Sequence, residues 1–242
     1  MMKYKAMLKL MLGWVFPMVA MTSVGWFLLE DGLPLLTGSH FPASNWPFAC
    51  TFLGFLGAVM LVSVFVGPGF QFGVSRYTMT RAYATALLIQ AAAIALMALG
   101  LQSVAELFAA QRQSVLVPFA GFIEPSITAL VVSVAYLAMM ALVGGSVGLL
   151  FGLLLAYVTR RPMIILLVVF SGLMPMLVIL IAMLSWWGLT SLWPAVKAWP
   201  GYFNQHPWLI VGLWGVLASV LLLLMRAVYL RLDAPKQVGW HG

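Results

Sequence analysis

Long apolar runs separated by short polar segments make up most of the chain. Six of these runs are close to or above the roughly 20 residues that a helix needs to cross a membrane. The predicted spans are residues 10–29, 48–66, 82–101, 126–157, 163–187 and 209–225. The pattern therefore predicts an all-α, polytopic membrane protein with six transmembrane helices, organised as a single domain over residues 1–242.

The composition excludes an ordinary soluble domain. Hydrophobic residues make up 64% of the 242 positions and charged residues only 7%, whereas about 25% of the residues of a soluble domain are charged. The net charge of +7 does not indicate nucleic-acid binding, because the basic residues stand at the ends of apolar runs, where they orient a membrane protein. We therefore expect a membrane lipid environment and no nucleic-acid partner.

The basic residues are divided unevenly between the two sides of the predicted spans. Arg112 and Lys197 fall on one side. Those on the other side are Lys3, Lys5, Lys9, Arg76, Arg81, Arg160, Arg161, Arg226, Arg231 and Lys236. The positive-inside rule then places both termini in the cytoplasm. Residues 1–9 alternate Lys with apolar residues, which predicts either a short amphipathic helix on the membrane surface or a simple positive anchor.

The predicted spans lack the side chains that most catalysis and ion coupling require. No span contains His, Asp, Glu, Lys or Arg, so a buried metal or haem site, a carboxylate pair or an activated serine is not expected. The chain also lacks the Gly-x-x-x-x-Gly-Lys-[Ser/Thr] loop that binds ATP phosphates. We predict a protein that is not an enzyme and that holds no cofactor itself.

The segment 67–81, between the second and third spans, reads G-P-G-F-Q-F-G-V-S-R-Y-T-M-T-R. Pro68 can begin a short helix, Gly73 permits a turn, and Ser75 can cap the helix that follows. Arg76 near the start of that helix opposes the helix dipole at a cost of a few tenths of a kcal/mol, which topology, or an acidic or carbonyl partner, would offset. The alternative interpretation is a simple positively charged loop.

Two further features lie inside the spans. Gly144, Gly148 and Gly152 recur every four residues along one face of the long fourth span, a pattern typical of close helix packing either within a subunit or between subunits. The length of this span also predicts a tilt, or a break at Gly144-Gly145. Gln90 lies near the middle of the third span, where it would either bridge two helices or contact a transported molecule.

The motif Phe72-Gly73-Val74-Ser75-Arg76-x-Thr78 follows the second span. Together with the six spans and the cytoplasmic termini, it resembles the small ABC-2 type permeases of bacterial ABC transporters. The corresponding loop in that family often reads Gly-Val-Ser-Arg followed by a basic residue and Thr. Here Tyr77 stands at the basic position, with Arg81 as a nearby basic residue that could compensate.

The resemblance implies a short cytoplasmic coupling helix that docks on a separate nucleotide-binding ATPase subunit. The residues that would form this contact are Phe70, Gln71, Phe72, Gly73, Val74, Ser75 and Arg76. It implies the transmembrane subunit of an ATP-driven exporter in a bacterial cell membrane, paired with a second copy or a related chain. ATP and Mg²⁺ would bind only to the partner ATPase. Spans without charge suit a lipophilic or amphipathic cargo, such as a peptide antibiotic or drug.

Two other functional classes remain open from the sequence. The chain could be a non-transporting scaffold or sensor subunit of a membrane complex, or it could be a carrier or channel that works without ATP. A scaffold would tolerate loss of the 67–81 segment, whereas an independent carrier would transport when reconstituted alone.

Overall fold

The computed structural model describes residues 2–28, 46–108, 127–157 and 206–231. These residues form five helices: α1 (Met2–Phe27), α2 (Trp46–Gln71), α3 (Arg76–Phe108), α4 (Ile127–Tyr157) and α5 (Pro207–Arg231). All five are long and apolar enough to cross a membrane, and the described part of the chain contains no strand. The all-helical prediction is thus confirmed for the described residues, and the five helices are consistent with a membrane protein.

The five helices correspond to five of the six predicted spans, but most are longer than predicted. Helix α1 includes the segment 1–9 from Met2 onward, so that segment is not a separate surface helix. Helix α4 is continuous through Gly144-Gly145, where a break was one of the two expectations. The predicted span 163–187 lies outside the described residues.

The largest difference from the sequence prediction is at the end of α2. This helix continues beyond the predicted span end at Val66 to Gln71 and includes Pro68, so no separate short helix begins there. A proline near a helix end removes a single backbone hydrogen bond. The bond from the Phe72 backbone N–H to the Pro68 carbonyl, at 2.9 Å, continues the pattern beyond it. Residues 72–75, here called the interhelical turn, then connect α2 to α3.

Helices α2 and α4 form the most extensive contact in the described bundle. Gly144 of α4 lies against Thr51 of α2, and Gly148 lies against Phe55. Residue numbers therefore increase in the same direction along both helices, which means that α2 and α4 are parallel. Helix α1 packs mainly on α3, and α5 packs mainly on α4.

The start of α3 and the end of α5 lie at the same end of the bundle. The Arg76 side chain donates a hydrogen bond to the Leu230 carbonyl, and the rings of Tyr83 and Tyr229 are 6.1 Å apart. We call this end the basic end, after Lys3, Lys5, Arg76, Arg81, Arg226 and Arg231. No acidic side chain is found there among the residues that the structure describes.

Candidate functional site

The interhelical turn is stabilised first by its own backbone. Gly73 has φ of +59°, a left-handed conformation that glycine adopts without the steric penalty of a side chain. The Val74 N–H donates to the Gly69 carbonyl at 3.0 Å, which is the helix-ending bond of a Schellman motif with glycine at C′. The Val74 side chain is buried and so anchors the turn on the bundle.

Ser75 stabilises the other side of the turn by capping α3. Its Oγ accepts a hydrogen bond from the Thr78 backbone N–H at 3.2 Å and lies 2.8 Å from the Thr78 hydroxyl. This geometry satisfies one of the backbone N–H groups that the first turn of a helix leaves without a partner. The capping role predicted for Ser75 is confirmed.

Ser75→Ala is expected to destabilise the first turn of α3 by about 1 kcal/mol, because the cap is lost. Hydrogen exchange followed by mass spectrometry should show faster exchange in the peptide that contains residues 76–80. Ser63→Ala is the matched control, because the Ser63 hydroxyl donates to a carbonyl within its own helix and caps nothing. Unchanged exchange in Ser75→Ala would contradict the capping role.

Lys3 approaches the same turn from the start of α1. Its Nζ donates to the Gly73 carbonyl at 3.2 Å and to the Phe72 carbonyl at 3.4 Å. A cation that binds the carbonyls at a helix C-terminus is favourably placed in the field of the helix dipole. The sequence did not reveal this contact, because Lys3 is separated from Gly73 by 70 residues and no local pattern relates them.

The Arg76 side chain makes a hydrogen bond within the chain. Its Nη1 donates to the Leu230 carbonyl at 3.2 Å, in the last turn of α5. The carbonyl end of a helix attracts a cation, so this contact offsets the cost of placing Arg76 at the start of α3. The carbonyl partner considered from the sequence is thus present within the chain.

Tyr77 lies between two arginines beside the turn. The guanidinium carbon of Arg226 is 5.4 Å from the centre of the Tyr77 ring, and that of Arg81 is 5.7 Å from it. Arg81 also lies 6.0 Å from the Tyr4 ring. Such cation–π contacts contribute about 0.5–1 kcal/mol each at exposed sites, so they hold α1, α3 and α5 together at the basic end.

The residues predicted to dock on a partner differ widely in exposure. Gln71, Phe72, Gly73 and Ser75 are exposed, Arg76 is partly exposed, and Val74 is buried. The side chain of Phe70 lies outside the described part of the structure. Phe72 is the clearest candidate contact, because 72% of this aromatic side chain is exposed.

The glycine stripe of α4 faces α2 of the same chain. A methyl group at Gly144 would overlap the Thr51 carbonyl, and one at Gly148 would overlap the Phe55 carbonyl. A methyl group at Gly152 would lie 2.9 Å from the Cβ of Val62. Of the two interpretations open from the sequence, the structure shows packing within the chain for this stripe.

Gln90 connects α3 to α2 and is completely buried. Its Nε2 lies 3.4 Å from the carbonyls of Leu53 and Gly54, to which it donates. Its Oε1 has no hydrogen-bond partner among the described residues. Of the two interpretations open from the sequence, the geometry of Gln90 agrees with a bridge between helices. The Gln90 side chain does not face an open pathway between the described helices.

The described residues contain no cluster of three or more His, Cys, Asp or Glu side chains that could hold a metal ion. Cys50 is free and buried. Comparisons with protein-family models, with curated proteins and with solved structures found no match for this chain. Its function is therefore inferred from its own residues.

Proposed function

We propose that this chain is the transmembrane subunit of an ATP-driven ABC exporter, and that its basic end docks on a separate ATPase subunit. The observation that carries the proposal is the exposed Phe72 ring on a turn that is held from three directions. Gly73 and Val74 end α2, Ser75 caps α3, and Lys3 binds the turn from α1. Such a turn presents one apolar side chain in a defined position.

The contacts around the turn suit it to transmit force. The turn joins α2 directly to α3, Lys3 connects it to α1, and Arg76 connects its far side to α5. A displacement applied at Phe72 would therefore act on four of the five described helices. Close-packed elements move as units rather than deforming locally, which is what coupling to a partner's ATP cycle requires.

The directions of the helices support a sixth crossing. Helices α2 and α4 are parallel, and α2 and α5 both end at the basic end, so α4 and α5 run in the same direction. The chain between Tyr157 and His206 therefore leads from the basic end back to the opposite end. We propose that residues 163–187 make this crossing, which gives six spans with both termini at the basic end. The positive-inside rule then assigns that end to the cytoplasm.

The chemistry of the basic end indicates the kind of surface that it would bind. Arg81 and Arg226 flank the exposed Tyr77 ring. Lys3 lies beside the exposed Phe72, and aromatic residues and arginine dominate the binding energy of protein interfaces. The complementary surface on the ATPase would carry acidic residues around an apolar pocket for Phe72. In the complete transporter, a second copy or a related chain would supply the other half of the pathway for a lipophilic or amphipathic cargo.

Phe72→Ala is expected to weaken association with the ATPase at least fivefold, because truncating an aromatic residue at the centre of an interface costs more than about 1 kcal/mol. The tagged full chain is purified in mild detergent, the co-purifying ATPase is identified, and its affinity for each variant is measured. Phe48→Ala is the matched control, since Phe48 is also exposed but lies at the opposite end of α2.

Membrane insertion and yield should be equal for the two variants. Normal ATPase binding by Phe72→Ala would refute the docking role of the turn. A wild-type chain that purifies without any ATPase under several gentle conditions would instead favour the independent carrier or channel.

A further inference from the structure

A lateral groove runs between α1 and α2 from the basic end toward the middle of the bundle. Its outer part has a volume of about 440 Å³ and begins at Lys3 and Phe72. Its inner part has a volume of about 400 Å³ and reaches Met21 and Gly57. The two parts share Trp14, among other lining residues, so they form one continuous groove that no other described helix covers.

The lining has an amphipathic arrangement. Among the residues that the structure describes, Lys3, at the mouth, is the only charged side chain that lines the groove, and the others are apolar, aromatic or glycine. An ammonium group has three N–H donors, and the carbonyls of Phe72 and Gly73 accept from two of them. The third is available to an anionic oxygen at the mouth. The groove thus fits a molecule with an anionic head and a long apolar chain.

The length of the groove is comparable to the thickness of one leaflet of a bilayer. Along α2 the lining runs from Phe72 to Gly57, a rise of about 22 Å at 1.5 Å per residue. Along α1 it runs from Lys3 to Met21, a rise of about 27 Å. Half of a bilayer, measured from the headgroup region to the midplane, is about 20–22 Å. Helix α1 is itself long and apolar enough to span the membrane. The molecules that surround the groove are therefore lipids of the leaflet at the basic end, and one of them can fill it.

We propose that the lateral groove binds one anionic phospholipid, with its phosphate at Lys3 and one acyl chain along α1 and α2 as far as Gly57. A second copy of the chain is a less suitable occupant. A two-fold axis along the membrane normal places the same residue of both copies at the same depth, so both Lys3 ammonium groups would lie at one level of the interface with no acidic side chain among the described residues at that end. This inference does not depend on the proposed transport function.

Native mass spectrometry on the delipidated full chain tests the site. Dioleoyl phosphatidylglycerol and dioleoyl phosphatidylcholine are titrated separately, and the Kd of the first bound lipid is measured. The wild-type chain should prefer phosphatidylglycerol at least fivefold, and Lys3→Gln should lower this preference by about fivefold. Glutamine keeps N–H donors on an uncharged side chain, so the variant removes the charge and retains polarity. Lys9→Gln is the control, because Lys9 is exposed on α1 and does not line the groove.

A second pair of variants tests whether the lipid chain lies in the apolar part of the groove. Gly13 lines the groove and Gly25 does not, and an added Cβ at either position meets no atom within 4 Å. Gly13→Leu should raise the Kd of the first lipid of both kinds at least tenfold, whereas Gly25→Leu should leave it unchanged.

Three results would overturn the proposal. If Lys3→Gln and Lys9→Gln lowered the preference for phosphatidylglycerol equally, that preference would come from general surface charge and not from Lys3 at the groove. An unchanged Kd in Gly13→Leu would place the lipid elsewhere. A wild-type dimer in detergent that Gly13→Leu converts to a monomer would assign the groove to a second copy of the chain.

Discussion

Gly148→Leu is expected to prevent normal packing of α2 against α4. A Cβ at this position would overlap the backbone carbonyl of Phe55 and lie 3.0 Å from the Cβ of Ala58. A carbonyl within a helix cannot rotate away as a side chain can, so the two helices would have to separate. Overpacking typically costs 1–3 kcal/mol and occasionally more. We expect a loss of at least about 3 kcal/mol, measured by denaturant unfolding of the purified chain in detergent.

The control for this substitution is Gly212→Leu in α5. An added Cβ at Gly212 meets no atom within 4 Å, and replacing glycine by leucine in an exposed helix position favours the helix by up to about 1 kcal/mol. Its stability should therefore equal or exceed that of the wild-type chain. Equal stability of Gly148→Leu and Gly212→Leu would contradict the observed packing of α2 and α4.

A milder pair of variants keeps the test informative if Gly148→Leu gives no folded protein. Gly152→Ala places a methyl group 2.9 Å from the Cβ of Val62, whereas the nearest backbone atoms, the Cα and the carbonyl oxygen of Val59, are 3.3 Å away. We expect Gly152→Ala to destabilise the chain by about 1–2 kcal/mol. In a double-mutant cycle with Val62→Gly, which removes this Cβ, Gly152→Ala should cost less than it does in the wild-type chain, whereas an equal cost would mean that the glycine face does not contact Val62.

The spans were predictable because apolar run length determines whether a helix can cross a membrane. Their ends were not, because a helix continues beyond an apolar run wherever its backbone bonds are satisfied. The end of α2 illustrates this: Pro68 suggested the beginning of a new helix, but α2 passes through it and ends only at the Schellman bond of Val74 to Gly69. The sixth span remains a prediction.

The candidate site was predictable where its chemistry is local. The turn at Gly73 and the cap at Ser75 follow from the conformational freedom of glycine and the hydrogen-bonding reach of serine. The contacts of Lys3 with Gly73 and of Arg76 with Leu230 span 70 and 154 residues, and only the packed bundle brings those groups together. The position of Gln90 beside Gly57 of α2 likewise depends on how the helices pack and could not be predicted from the sequence.

Gly57→Ala and Gln90→Ala are expected to interact strongly in a double-mutant cycle. A Cβ at Gly57 would overlap the Nε2 of Gln90 and would lie 2.8 Å from its Cδ and 3.0 Å from the Cε of Met18. Because the Gln90 amide also binds the carbonyls of Leu53 and Gly54, it cannot move without losing these bonds. Gly57→Ala alone should therefore destabilise the chain by about 1–3 kcal/mol.

Removing the amide removes the obstacle, so Gly57→Ala should cost much less when Gln90 is already alanine. The expected coupling free energy is about 1–2 kcal/mol, within the range found for residues in direct contact, and denaturant unfolding of the four proteins of the cycle measures it. Gly100→Ala is the control partner, since an added Cβ there meets no atom within 4 Å and its effect should add to that of Gln90→Ala. Additivity of Gly57→Ala and Gln90→Ala within about 0.5 kcal/mol would show that Gln90 does not occupy the space beside Gly57, and the hydrogen-bonded bridge between α2 and α3 would have to be abandoned.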